Sequence, residues 1–158
     1  MSADPLDAVM SVMDEAFDPA FGEAWTRRQI ADALARPRTF CLLGHAPGNV
    51  GEAHGFALSR QVLDEEELLL IAVKPDWRKQ GVGTRLLEEL CTAASQRGVL
   101  RLFLEMRDGN PAQTFYHNFG FSQIGCRPAY YRNAAGGPID ALTLAIDLNP
   151  VKYSSAVQ

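Results

Sequence analysis

The residues from Arg78 to Thr84, Arg-Lys-Gln-Gly-Val-Gly-Thr, have types and spacing that point at chemistry. They follow an apolar run, Leu68 to Val73, which a proline at position 75 closes, and they precede an amphipathic segment beginning at Val82. A Leu/Ile/Val run bounded by proline predicts a buried strand. Val82, Leu86, Leu87, Leu90, Cys91 and Ala94 recur at the spacing of one helix face. The two glycines therefore stand where a strand hands over to a helix. Amide groups at a helix start, with no side chain in the way, can surround a phosphate, and the helix dipole favours its charge. Arg78 and Lys79 add positive charge. This stretch predicts an anion-binding loop for a phosphorylated cofactor. It is not a Walker A loop, which needs four residues between its glycines and a Lys-Ser/Thr after the second. Nor is it a dinucleotide fingerprint, whose third glycine is replaced here by Leu86.

The elements that must position this loop can be read along the chain. Leu6 to Phe17 has helical periodicity, with Asp18-Pro19 as its stop. Thr26, with Gln29 three residues on, predicts a capped second helix that Pro37 ends. Strands are expected at Thr39–Leu43 and Ala53–Leu58, joined through the turn composition of residues 46–49. The acidic cluster from Asp64 to Glu67 predicts a solvated turn, with Glu67 bordering the buried strand. Arg97-Gly98 ends the central helix, and Val99–Glu105 is expected as an interior strand. Asn110 to Phe119 predicts a short helix with Asn110 as cap, followed by two final strands around residues 133–138. Residues 149–158 carry little apolar content and predict a loose tail after a single domain over 1–148.

At 158 residues, 47% hydrophobic and 22% charged, the chain suits one globular domain. A net charge of −4 disfavours non-specific nucleic-acid binding and mildly favours cationic substrates. No apolar run approaches the ~20 residues of a membrane span, and the first residues lack the pattern of a signal peptide. A cytoplasmic location is the expectation. Three scattered cysteines predict buried, reduced thiols. His45, His54 and His117 match no metal spacing, so no metal is expected.

Four stretches together resemble one family. Arg78-x-x-Gly81-x-Gly83 resembles the cofactor loop of the GNAT N-acetyltransferases. Leu104-Glu105-Met106-Arg107 with Asn110, and Phe115-Tyr116 with Gly120-Phe121, are similar to two further family motifs. Arg127-x-x-Tyr130-Tyr131 followed by Asp140-Ala141 resembles the ending of the ribosomal-protein-alanine N-acetyltransferases. Two features depart from the pattern: the chain opens almost directly into a helix, and Arg132 follows the tyrosines where proline is usual. The resemblance implies an α/β fold, a mixed, mostly antiparallel central sheet with helices on both faces.

The resemblance implies acetyl transfer from acetyl-coenzyme A to a primary amine by direct attack, with a protein N-terminus as acceptor. A small-molecule amine acetyltransferase and a non-catalytic acyl-coenzyme A sensor remain alternatives, and a nucleotide-binding module is the remotest. The implied cofactor contacts are Ile71, Ala72, Val73, Arg78, Lys79, Gln80, Gly81, Val82, Gly83, Thr84, Asn110 and Tyr116. An amine attacks only as the free base, so a carboxylate must accept its proton. By resemblance Glu105 aligns with that base, although a salt bridge to Arg107 or Arg101 would equally occupy it; Glu67 is the second candidate. Tyr116 aligns with the general acid for the departing thiolate, against the alternative of a packed core tyrosine. Trp25, Tyr130 and Tyr131 are expected to line the acceptor groove, and aromatic packing also accounts for them. Either a monomer or a dimer is compatible with these features.

Overall fold

The six residues that share one face of the segment after the glycines, Val82, Leu86, Leu87, Leu90, Cys91 and Ala94, are all buried in the structure. The computed structural model describes residues 4–17, 24–48, 51–132 and 135–148. Within them run α1 (Pro5–Ala16), α2 (Arg27–Leu34), β1 (Thr39–Gly44), β2 (Gly55–Val62), β3 (Glu65–Val73), a 3₁₀ turn (Pro75–Trp77), α3 (Val82–Gln96), β4 (Arg101–Arg107), α4 (Ala112–Phe119), β5 (Ser122–Arg132) and β6 (Pro138–Asp147). The expected tail, residues 149–158, and part of the β5–β6 turn lie outside the described residues.

Local sequence explains the helix starts. The Asp4 carboxylate accepts the Leu6 N–H at 3.0 Å, with Pro5 in the first turn. The expected capping box is present: Gln29 donates its N–H to Thr26 Oγ1 at 3.1 Å, and Thr26 donates its own to Gln29 Oε1 at 2.7 Å. Asn110 Oδ1 accepts the Ala112 N–H at 2.9 Å, so the helix begins two residues later than the composition suggests.

The described strands form a six-stranded sheet in the order β1-β2-β3-β4-β6-β5. All neighbours are antiparallel except β3 and β4, which α3 connects in parallel. One apolar cluster joins α3 and α4 to the sheet through Leu68, Leu102, Leu104, Met106, Leu142 and Leu144. The cluster on the other face holds α1 and α2, and its strand residues come from β1, β2 and β3. Helices thus cover both faces, as the α/β expectation requires.

Three expectations need correction. The acidic run is a solvated turn only at Asp64: Glu65–Glu67 begin β3, and Glu66 is fully buried. Its carboxylate accepts hydrogen bonds from Arg97 Nη2 at 2.7 Å and from Ser59 Oγ at 2.6 Å, which satisfies the charge inside. β2 runs on to Val62 rather than stopping at Leu58, because Ser59 and Gln61 find buried partners. Of the three thiols only Cys91 is buried; Cys41 is half-buried and Cys126 is exposed, since β5 is an edge strand.

Candidate active site

β3 and β4 separate soon after they meet. Their parallel pairing covers only Glu65–Glu67 opposite Arg101–Phe103, yet β3 continues to Val73 and β4 to Arg107. The divergence begins at a bulge: Leu58 and Ser59 of β2 pair with Leu70 and Leu68, leaving Leu69 as the extra residue. Lys74 donates its N–H to His54 on the β2 side at 2.8 Å. By strand alternation Ile71 and Val73 turn their backbone groups into the gap, whereas Ala72 turns its own towards β2 and its side chain into the α1/α2 cluster.

At one end of the gap stands the glycine loop. Gly81 caps α3 with φ +82°, and no side chain bonds to the helix start. Lys79 is also left-handed, at φ 64°. The first amides of α3 have no intrahelical acceptor and point out of the helix end. A Cβ on Gly83 would lie 3.2 Å from the Phe115 ring of α4, so that glycine allows helix and helix to approach. Lys79, Gln80 and Thr84 are exposed, while Val82 anchors the turn in the core. Arg78 lies exposed along the surface and folds back on the backbone: Nε donates to Val73 O at 3.1 Å and Nη2 to Ala16 O at 2.9 Å. It ties the loop to the ends of β3 and α1.

The chemical groups divide between the two sheet faces. Leu102, Leu104 and Met106 belong to the α3/α4 cluster, so alternation sends Phe103 and Glu105 to the opposite face, with Glu67 beside Phe103 in register. Tyr116 is buried in the α3/α4 cluster, its ring 5.4 Å from Phe115 and 5.5 Å from Phe121. The open stretch between β3 and β4 separates the tyrosine from the carboxylates.

The carboxylates differ in their surroundings. Glu67 is partly buried, 4.0 Å from Arg60 Nη2. Burial pushes its carboxyl up; Arg60 opposes this, the charge of Glu105 adds to it, and Arg127 pulls it down. Glu105 is gripped by Arg127 of β5, and not by Arg101. Arg127 Nε donates to its Oε2 at 2.9 Å, and Nη2 reaches Oε1 at 2.5 Å. Arg101 pairs with Asp147 instead. The same Arg127 guanidinium lies 4.0 Å from the Tyr130 ring centre, and Tyr130 meets Tyr131 edge-on at 5.1 Å.

Asp140 explains that last cluster. Its Oδ1 accepts the Ala129 N–H at 2.8 Å, where Ala129 is left-handed (φ 54°) and β5 slips register between Arg127 and Tyr131. The Arg…Tyr-Tyr…Asp pattern is one unit, a bulge fastened by Asp140 that sets Arg127 against Glu105, Tyr130 against Arg127 and Tyr131 against Tyr130. Trp25 is half-buried and packs against the α1/α2 cluster. His54 stacks on Trp77 at 3.8 Å, and His117 Nδ1 meets Phe121 O at 3.1 Å; both serve packing. Among the described residues no His, Cys, Asp or Glu group is arranged to hold a metal, and no helix is long and apolar enough to cross a membrane.

A family profile described as an acetyltransferase (GNAT) domain matches residues 38–123, from β1 into β5. The chain belongs to the GNAT acetyltransferases. It is an acetyl-coenzyme A-dependent N-acetyltransferase. The "[ribosomal protein bS18]-alanine N-acetyltransferase" of Escherichia coli (strain K12) is 39% identical over 100 residues, spanning 63% of this chain and 67% of that one. The crystal structure of the ribosomal-protein-S18-alanine N-acetyltransferase from Escherichia coli superposes with a TM-score of 0.79 at 31% identity, covering 94% of this chain and 91% of the other. An aminoglycoside 6′-N-acetyltransferase complexed with coenzyme A shares the fold, with a TM-score of 0.73 at 17% identity over 92% and 91% of the two chains. In this GNAT chain the uncapped α3 start and the β3–β4 gap fit the phosphates and the thin pantetheine arm of the cofactor.

Proposed function

We propose that this enzyme acetylates the α-amino group at a protein N-terminus, with an N-terminal alanine of a small-subunit ribosomal protein as the preferred acceptor. The observation that carries the proposal is the open shelf beside Glu105. Tyr130 is 53% exposed and sits with Tyr131 and Arg127 on an edge-strand bulge. A small amine is best held in an enclosed pocket; an open shelf suits the end of a chain that continues into solvent. The kinship with the ribosomal-protein-alanine N-acetyltransferase of Escherichia coli, in sequence and in structure, supports the same choice.

In this scheme the amides from Gln80 to Thr84 hold the pyrophosphate, with Lys79 adding charge and Arg78 fixing the loop. Ile71 and Val73 offer backbone groups to the pantetheine arm and the thioester oxygen, and Asn110 supports the arm from the α4 side. The acceptor enters as an ammonium on the shelf, where Trp25 borders the α1/α2 side. Glu105 takes its proton, directly or through a water, with Glu67 as the second carboxylate of the site. The nitrogen then forms a bond to the thioester carbon as the carbon–sulfur bond breaks; Tyr116 supplies a proton to the thiolate, and the second proton that the nitrogen sheds on becoming an amide returns through water to Tyr116.

The test is an acetyl-coenzyme A turnover screen. Peptides beginning with Ala, Ser or Met are compared with polyamines, free amino acids and a peptide whose only amine is a lysine side chain. Preference for the Ala-start peptide is the expected result. Exclusive turnover of a small amine overturns the proposal, and coenzyme A binding without turnover of any amine would mark a sensor.

A further inference from the structure

The Arg127 guanidinium is placed as an ammonium would be. One side faces the Glu105 carboxylate, which accepts from Nε at 2.9 Å, and the other lies 4.0 Å from the Tyr130 ring centre. A carboxylate and an aromatic face are the two groups that best hold an organic cation away from water. We propose that Arg127 is a built-in competitor for the acceptor, occupying the ammonium site until the incoming amine displaces it. The inference rests on the amine-acetylating reading of the site above.

Three observations support it. Glu105 is the inner partner, its side chain 21% exposed, whereas that of Arg127 is 56% exposed, so the guanidinium covers the carboxylate from the solvent side. Arg127 is rooted on the edge strand β5, next to the register slip, where a long side chain can swing outward without disturbing the sheet. Its contacts are with Glu105 and Tyr130, the same groups the acceptor needs, and Glu105 together with Tyr130 holds it in its charged form. The guanidinium side of the pair is open to solvent, so an incoming cation can reach it and exchange with it.

The consequence is a selectivity device. An acceptor must bring a cation that outbids a tethered guanidinium, so neutral amines and weakly held ammonium ions are rejected.

The test is steady-state kinetics on the full chain with an Ala-start peptide and saturating acetyl-coenzyme A, comparing wild type with Arg127→Ala, Arg127→Met and Arg127→Lys. Removing the competitor is expected to lower the acceptor KM about two- to five-fold, as the loss of a weakly held pair would. Methylguanidinium is expected to inhibit Arg127→Ala competitively against peptide, at concentrations that leave wild type unaffected, and Arg127→Lys falls between. An unchanged or raised KM overturns the proposal. So does a loss of kcat that methylguanidinium restores, which would make Arg127 a positioning residue for Glu105. Coenzyme A binding by calorimetry confirms that each variant is folded, and Arg127→Met keeps part of the stem if Arg127→Ala does not fold. A wild type that ignores every peptide but acetylates a small amine rejects the N-terminal proposal alone, and the KM comparison is then made with that amine.

Discussion

Both carboxylate oxygens of Glu66 lie 2.7 Å from Nη2 of Arg97, bridging the start of β3 to the end of α3 across 31 residues of chain. Ser59 on β2 donates to the same carboxylate, and Arg97 lies 3.7 Å above the Phe40 ring on β1. Four elements are thus joined where the gap between β3 and β4 begins. Glu66→Ala removes a buried carboxylate and leaves the half-buried Arg97 guanidinium without it, and is expected to cost about 2–3 kcal/mol, against about 1 kcal/mol for Ser59→Ala. Urea unfolding of the two variants checks the ranking.

Gly81 and Gly48 separate conformation from function. Both have φ near +80° with open space where a Cβ would project. A valine at either position carries similar backbone strain, of about 1–2 kcal/mol. Only at Gly81 does the side chain also stand before the α3 amides. Calorimetry is expected to show coenzyme A affinity falling about tenfold or more, ~1.4 kcal/mol, for Gly81→Val, with Gly48→Val unaffected. Equal affinities would remove the loop from the phosphate site.

Tyr116→Phe keeps the ring contacts to Phe115 and Phe121 and removes one oxygen. Turnover is expected to fall about 10²–10⁴-fold with coenzyme A affinity retained, the signature of a lost proton donor. Stability should change by no more than the about 0.5–1.5 kcal/mol of one hydrogen bond. Normal turnover would return Tyr116 to a packing role.

How far the sequence revealed these features depends on the range of the interactions. The α3 face, the Thr26–Gln29 capping box and the glycine loop arise from neighbours within a turn or two, so periodicity and spacing suffice to find them. Glu66 was hidden because its neutralising partner arrives from the far end of α3, and a run of acids otherwise signals solvent. The Arg127–Glu105 pair was hidden in the same way. Two arginines nearer in sequence were the natural candidates, and only the β4-β6-β5 order brings the third alongside. The Asp140 contact to Ala129 gives the tyrosine motif a physical reason that its letters alone do not contain.

The last prediction separates Glu67 from Glu105 by pH. Burial raises the Glu67 carboxyl above its unfolded value, so the fold favours its protonated form. The stability this contributes is complete below the unfolded pKa and is lost as pH rises through the folded one. Ionised Glu67 is therefore a cost at neutral pH, and Glu67→Gln is expected to raise the urea midpoint at pH 7 and lose that advantage below about pH 4. Catalysis runs the other way, because a base works only when ionised. Glu105→Gln is expected to lose most of its rate at neutral pH and to recover much of it at high pH, where solvent supplies the free amine. Glu67→Gln should act chiefly on the acceptor KM. If instead Glu67→Gln is nearly inactive and Glu105→Gln nearly normal, the base is Glu67, and the Glu105–Arg127 pair only binds the acceptor. Equal partial losses would mean a proton relayed between the two through water, with apparent pKa values that belong to the pair.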